Sequence, residues 1–127
     1  GQILENAMKG EPTRIPKGGD GKKCTVYVKD IVQGVIKACF VKNPQSRIYN
    51  ISGGEGYSFK DWATVVKEVF PNASVEIGPG PLSELEMMGV VLDITKARRE
   101  LSYEPRYPLK KGIEDYVKEM DRLKLPL

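Results

Sequence analysis

Lys23, Thr25 and Tyr27 stand at alternate positions and are the residues of this sequence best suited to holding a polar ligand. A cation, a hydroxyl and a phenol in line match a phosphate or a hydroxyl-rich molecule. An ordinary exposed strand face would explain the same trio. Glu84 and Glu86, beside the turn Gly78-Pro79-Gly80-Pro81, could bind Mg²⁺ or serve as acid and base, but no third ligand lies near them in sequence. Tyr107 and Lys111 match Tyr-x-x-x-Lys, in which the ammonium lowers the phenol's pKa. Pro108 places Tyr107 before the helix, so the two side chains do not sit one turn apart and the match is fortuitous. Ser52-Gly53-Gly54-Glu55-Gly56 lies between a strand and a helix, where a dinucleotide loop would sit. It reads GGxG rather than GxGxxG, and a tight loop delivering Ser58 to a helix cap explains it. The sequence has no histidine, which excludes Ser-His-Asp, Cys-His and most zinc chemistry. No catalytic, cofactor-binding or metal-ligating residue is therefore assigned.

The elements that must position these groups follow from periodicity. Ile3, Leu4, Ala7 and Met8 share one helical stripe that Gly10 and Pro12 terminate, and Thr13–Pro16 reads as extended. Cys24–Val28 has strand composition, with Val26 and Val28 toward the core and Lys23, Thr25 and Tyr27 opposite. Asp30 stands where an N-cap belongs, ahead of the helical set Ile31, Val32, Val35, Ile36, Cys39 and Phe40. Arg47–Ile51 reads as a strand. Ser58 and Asp61 have capping-box spacing before a helix carrying Phe59, Trp62, Ala63, Val66, Val69 and Phe70. Ser74–Ile77 is a short strand, a short helix starts at Asp93 or Thr95 and runs to Leu101, and a last helix begins near Pro108. Short strands alternating with amphipathic helices give an α/β fold, without the first βαβ unit and phosphate turn of a nucleotide-binding domain.

At 127 residues, 40% of them apolar, the chain can bury one core, and residues 1–127 are expected to form a single unit. The net charge of +3 is spread over short basic pairs such as Lys22-Lys23 and Arg98-Arg99, which describes a solvated surface and not a nucleic-acid face. Cys24 and Cys39 read as buried free thiols. With no signal peptide or long apolar span, a cytoplasmic protein with no membrane partner is expected.

Four motifs in order carry a resemblance. Lys23-Cys-Thr-Val-Tyr-Val-Lys-Asp30 resembles the Arg-x-x-φ-x-Val-x-Asp stretch (φ apolar) of the extended short-chain dehydrogenase/reductase superfamily, the NAD-dependent epimerases and dehydratases of nucleotide sugars. Arg47-Ile-Tyr-Asn-Ile-Ser-Gly-Gly54 with Ser58 is similar to that family's next strand and helix entry. Leu92–Pro105 and Pro108–Val117 resemble its two closing signatures.

The resemblance implies a carboxy-terminal, substrate-side portion: the edge of a Rossmann-type sheet plus a small α/β substrate-binding lobe of mixed short strands and amphipathic helices. The family's glycine fingerprint and catalytic Tyr-x-x-x-Lys are absent, so NAD or NADP is expected in a parent protein whose missing amino-terminal cofactor lobe is a partner. This chain alone is then a fragment that binds no cofactor and performs no catalysis. Lys23 falls where the family has an arginine gripping the diphosphate, and lysine supplies the charge without the bidentate fork. Pro81–Glu86 aligns with a loop that brings a second arginine, and Leu82 and Ser83 stand there instead. The implied substrate-binding set is Lys23, Thr25, Tyr27, Ser83 and Glu86, toward a sugar or nucleotide sugar; the altered clamp leaves the sugar open. A non-catalytic binding or regulatory module retaining the fold is the alternative. A homo-oligomer is compatible with either, because a lost sheet neighbour would leave the Arg47–Ile51 edge prone to self-association.

Overall fold

The computed structural model describes residues 1–81 and 91–124. In chain order they form α1 (Gln2–Lys9), β1 (Thr13–Ile15), β2 (Lys23–Cys24), α2 (Val28–Phe40), β3 (Gly56–Tyr57), α3 (Phe59–Val69), β4 (Val75–Ile77), α4 (Thr95–Leu101) and α5 (Leu109–Leu123). The architecture is mixed α/β. β1 and β4 pair in parallel, Thr13 opposite Val75 and Ile15 opposite Ile77. β2 and β3 pair antiparallel, Lys23 opposite Tyr57 and Cys24 opposite Gly56.

Local chemistry sets the helix ends. Gly10 closes α1 in the left-handed conformation, and its amide returns to the Ala7 carbonyl. Ser58 and Asp61 form the expected capping box on α3: the Asp61 amide donates to Ser58 Oγ, and the Ser58 amide donates to Asp61 Oδ2 at 2.7 Å. Asp93 accepts from the Thr95 amide at the start of α4, and Pro108 precedes α5. The main core gathers Ile3, Leu4 and Ala7 of α1, Ala63 and Val66 of α3, Val75, and Leu109 and Ile113 of α5. A second core holds Ile94, Ala97, Leu101 and Tyr103 against Val41, Tyr49 and Ile51.

Three expectations are corrected. The strand at Cys24–Val28 ends at Cys24, and Val28 is already the first residue of α2, with 58% of its surface exposed. Asp30 is accordingly not the N-cap, a place taken by Tyr27. Asp30 sits buried in the first turn, where its carboxylate accepts from the amides of Arg106 at 2.8 Å and Tyr107 at 3.0 Å. A tertiary use of the carboxylate has displaced the local one. Arg47–Ile51 lies in no ladder among the described residues, since nothing described offers it a partner edge.

The apolar stripe of α2 also faces the wrong way for a core. Only Asp30 and Gly34 of this helix are buried. A Cβ at Gly34 would come within 2.7 Å of Ile51, so the bare glycine lets the helix close onto residue 51. Ile31, Val32, Val35, Ile36 and Phe40 are exposed, as are Ile48 and, contrary to expectation, the Cys39 thiol.

Candidate functional site

Beyond β2 the chain leaves the ladder but stays tethered: the Thr25 carbonyl accepts from the Gly53 amide at 3.2 Å. A Cβ on Gly53 would approach that carbonyl to 2.6 Å, so the contact demands glycine. This segment, β3 and the start of α5 enclose a groove of two chambers. The larger, about 400 Å³, is lined by Thr25, Tyr27, Trp62, Tyr107, Gly112 and Tyr116 among others. The smaller, about 340 Å³, is lined by Lys23, Thr25, Phe59 and Ile15 among others. Thr25, Tyr57 and Trp62 belong to both, so the chambers adjoin. The structure thus brings Lys23, Thr25 and Tyr27 to one groove although no continuous strand carries them. Ser83 and Glu86, like Glu84, lie outside the described residues.

Each polar group has a defined setting. Lys23 Nζ lies 5.0 Å from the Phe59 ring centroid, a cation–π contact that keeps the ammonium on the wall of the smaller chamber. The Tyr27 hydroxyl donates to Asp115 Oδ2 at 2.8 Å, and Lys29 bridges Asp115 and Glu119 at 2.6 and 2.8 Å. Burial, reinforced by that bond to a carboxylate, pushes the Tyr27 hydroxyl up to about 12. It therefore stays protonated at neutral pH. The Tyr57 hydroxyl donates to Glu55 and accepts from the Leu109 amide, tying β3 to the start of α5. Its pKa is raised, first by burial and then by Glu55.

Tyr107 precedes α5, as Pro108 requires, yet Lys111 Nζ stands over its ring face, 4.8 Å from the centroid, so the two side chains do meet. In the glycine loop the Gly53 amide is spent on Thr25 and the Gly54 amide on Ser52 Oγ, so the residues here do not fit a dinucleotide's phosphates. Among the described residues no group of three His, Cys, Asp or Glu side chains is placed to hold a metal. No described helix is long and apolar enough to cross a membrane.

Sequence reasoning missed much of the groove wall. Trp62 falls by spacing on the apolar face of its helix, and that spacing is the same signal whether a ring faces a core or a cavity. Tyr107 packs on Tyr27 with ring centroids 5.0 Å apart, a pairing between segments 80 positions apart in sequence.

No family model matches the chain. It is 30% identical over 104 residues to UDP-glucuronic acid decarboxylase 1 of Arabidopsis thaliana, covering 80% of this chain and 23% of that protein. In fold it is similar to UDP-glucose 4-epimerase of Thermotoga maritima, solved with UDP-glucose, at a TM-score of 0.77 and 25% identity over 98% of this chain and 39% of that one. The Bordetella bronchiseptica enzyme WbmF in complex with NAD⁺ and UDP matches at 0.74 and 25% identity over 94% of this chain and 35% of that one. The chain thus spans 23–39% of the length of these three proteins. Relatives and fold agree with the ordered motifs: over most of its length the chain is similar to part of the NAD-dependent epimerases and dehydratases of the extended short-chain dehydrogenase/reductase superfamily.

Proposed function

We propose that residues 1–127 act as one unit, the carboxy-terminal substrate-side portion of a cytoplasmic NAD(P)-dependent epimerase, dehydratase, decarboxylase or reductase of nucleotide sugars. The observation that carries this is the shared groove of Lys23, Thr25 and Tyr27. Lys23 supplies the positive charge a diphosphate needs, and Thr25 offers a hydroxyl at the junction of the chambers. The aromatic walls present ring faces to a base or sugar. Ser83 and Glu86 complete the set. Cofactor binding and proton transfer belong, on this reading, to an amino-terminal portion of the same protein. The outward apolar stripe of α2 supports that division, because contiguous exposed apolar surface of this kind marks an interface. An α/β cofactor-binding portion would cover it and pair with 47–51.

Trp62, the one tryptophan in the sequence, lines both chambers and reports on the groove. Titrating the chain with UDP is expected to change its fluorescence saturably, and K23Q to weaken that binding by about tenfold or more, the worth of a charged hydrogen bond. No response to UDP, or tight stoichiometric NAD binding by this chain alone, would overturn the proposal. UDP binding by a full-length protein that turns over no nucleotide sugar would favour a non-catalytic module.

A further inference from the structure

Tyr27, Tyr57, Tyr107 and Tyr116 all line the larger chamber. Two of these phenols have spent their hydroxyls on carboxylates, Tyr27 on Asp115 and Tyr57 on Glu55. The hydroxyls of Tyr107 and Tyr116 have no hydrogen-bond partner among the described residues. No buried polar side-chain atom among those residues lacks a partner, so the Tyr107 hydroxyl is open to solvent. Tyr107 differs from Tyr116 in how it is held. Its amide donates to Asp30 Oδ2 at 3.0 Å, and its ring packs on Tyr27 with centroids 5.0 Å apart. Lys111 Nζ and Lys29 Nζ stand 4.8 and 5.9 Å from the centroid of the same ring, and Lys29 is itself anchored by Asp115 and Glu119. Tyr116 has no aromatic or cation–π contact of this kind among the described residues.

We propose that Tyr107 is a ligand-binding residue of this groove, its hydroxyl hydrogen-bonding the uncharged nucleoside end of a nucleotide ligand. The inference rests on the reading of the groove as a nucleotide-sugar site, and it adds a contact outside the set of Lys23, Thr25 and Tyr27. A phenol already fixed at its backbone and its ring loses little freedom when a ligand arrives, so more of its hydrogen bond appears as affinity. The chamber's chemistry favours the nucleoside. Arg98, its one lining cation among the described residues, is already engaged by Glu104, Nε to Oε2 at 3.1 Å and Nη2 to Oε1 at 3.0 Å. The rings of Tyr27, Tyr57, Trp62 and Tyr116 line the same space and suit a flat, uncharged base. The sugar of such a ligand has to reach the cofactor-binding portion, which leaves the nucleoside to this chain. A phenol donates to a base carbonyl or accepts from a ribose hydroxyl.

The test compares the full chain with Y107F and Y116F by isothermal titration calorimetry, using UDP and inorganic pyrophosphate. Y107F keeps the ring and its contacts and deletes only an unpartnered hydroxyl, so its urea unfolding midpoint is expected to match that of the unmodified chain. UDP is expected to bind Y107F about three- to tenfold more weakly, the worth of one hydrogen bond. Pyrophosphate, which has no nucleoside, is expected to behave identically toward both proteins. Y116F is expected to weaken UDP binding less than Y107F does. Unchanged UDP affinity in Y107F, an equal loss for pyrophosphate, a lowered unfolding midpoint, or a loss no greater than that of Y116F would overturn the inference while UDP binding by the unmodified chain upholds the groove. Failure of UDP to bind the unmodified chain removes the nucleotide-sugar reading itself, and this contact with it.

Discussion

Replacing Asp30 by alanine removes the carboxylate on which the chain hangs the segment before α5. Asp30 is 1% exposed, and its two oxygens accept separately from the Arg106 and Tyr107 amides. A hydrogen bond to a charged group contributes about 1.5–3 kcal/mol, and each amide left without a partner forfeits its solvation as well. Some water will reach the partly buried amides, so the low end applies to each, and D30A is expected to cost about 3–4 kcal/mol. D30N keeps one acceptor oxygen but turns its NH2 toward the other backbone N–H, donor against donor, so it should recover little of that loss. The consequence extends to the groove, because Tyr107 forms part of its wall and packs on Tyr27. Urea unfolding followed by circular dichroism gives the two free energies, and UDP titration at denaturant concentrations where each variant stays folded gives the effect on the groove. A D30A cost under about 1 kcal/mol would refute the assignment of both amides to this carboxylate.

Further perturbations test other joints. G34A should destabilise by about 1 kcal/mol or more, overpacking against Ile51 outweighing the gain in helix propensity, and I51V should recover part of that loss in thermal unfolding of the double variant. S58A removes the cap of α3 and should cost about 1 kcal/mol by the same assay. The Ser58 backbone amide holds the Asp61 carboxyl below its ordinary 3.8, so the unfolded chain binds the proton more readily. Its contribution to stability is therefore present above about pH 3.8 and is lost as pH falls through the lowered folded value; in D61N the pH slope of unfolding across that window should be shallower. I36K on the outward face of α2 should leave unfolding within about 0.5 kcal/mol of the unmodified chain, because the site is exposed. The same variant should reduce concentration-dependent self-association in sedimentation.

The helices were legible because their signals are local. The stripe of Ile3, Leu4 and Ala7, the stop at Gly10, the Ser58–Asp61 box and the break at Pro108 all act within a few residues of themselves. Strands at 24–28 and 47–51 were misread because β character is completed by a partner edge, which sequence does not display. Asp30 has the residue type and place of a cap, yet two amides 76 and 77 positions away claim it. Lys23, Thr25 and Tyr27 were legible as a polar set and meet in one groove. The fixing of Tyr107 there by Tyr27, Lys29 and Lys111 depends on pairing that only the fold reveals.

The most direct test of the central claim is backbone NMR of the chain titrated with UDP. Chemical-shift changes should concentrate at Lys23, Thr25 and Tyr57, together with the Trp62 indole, and should saturate. Saturable shifts centred on the outward face of α2, or no shifts at all, would contradict it.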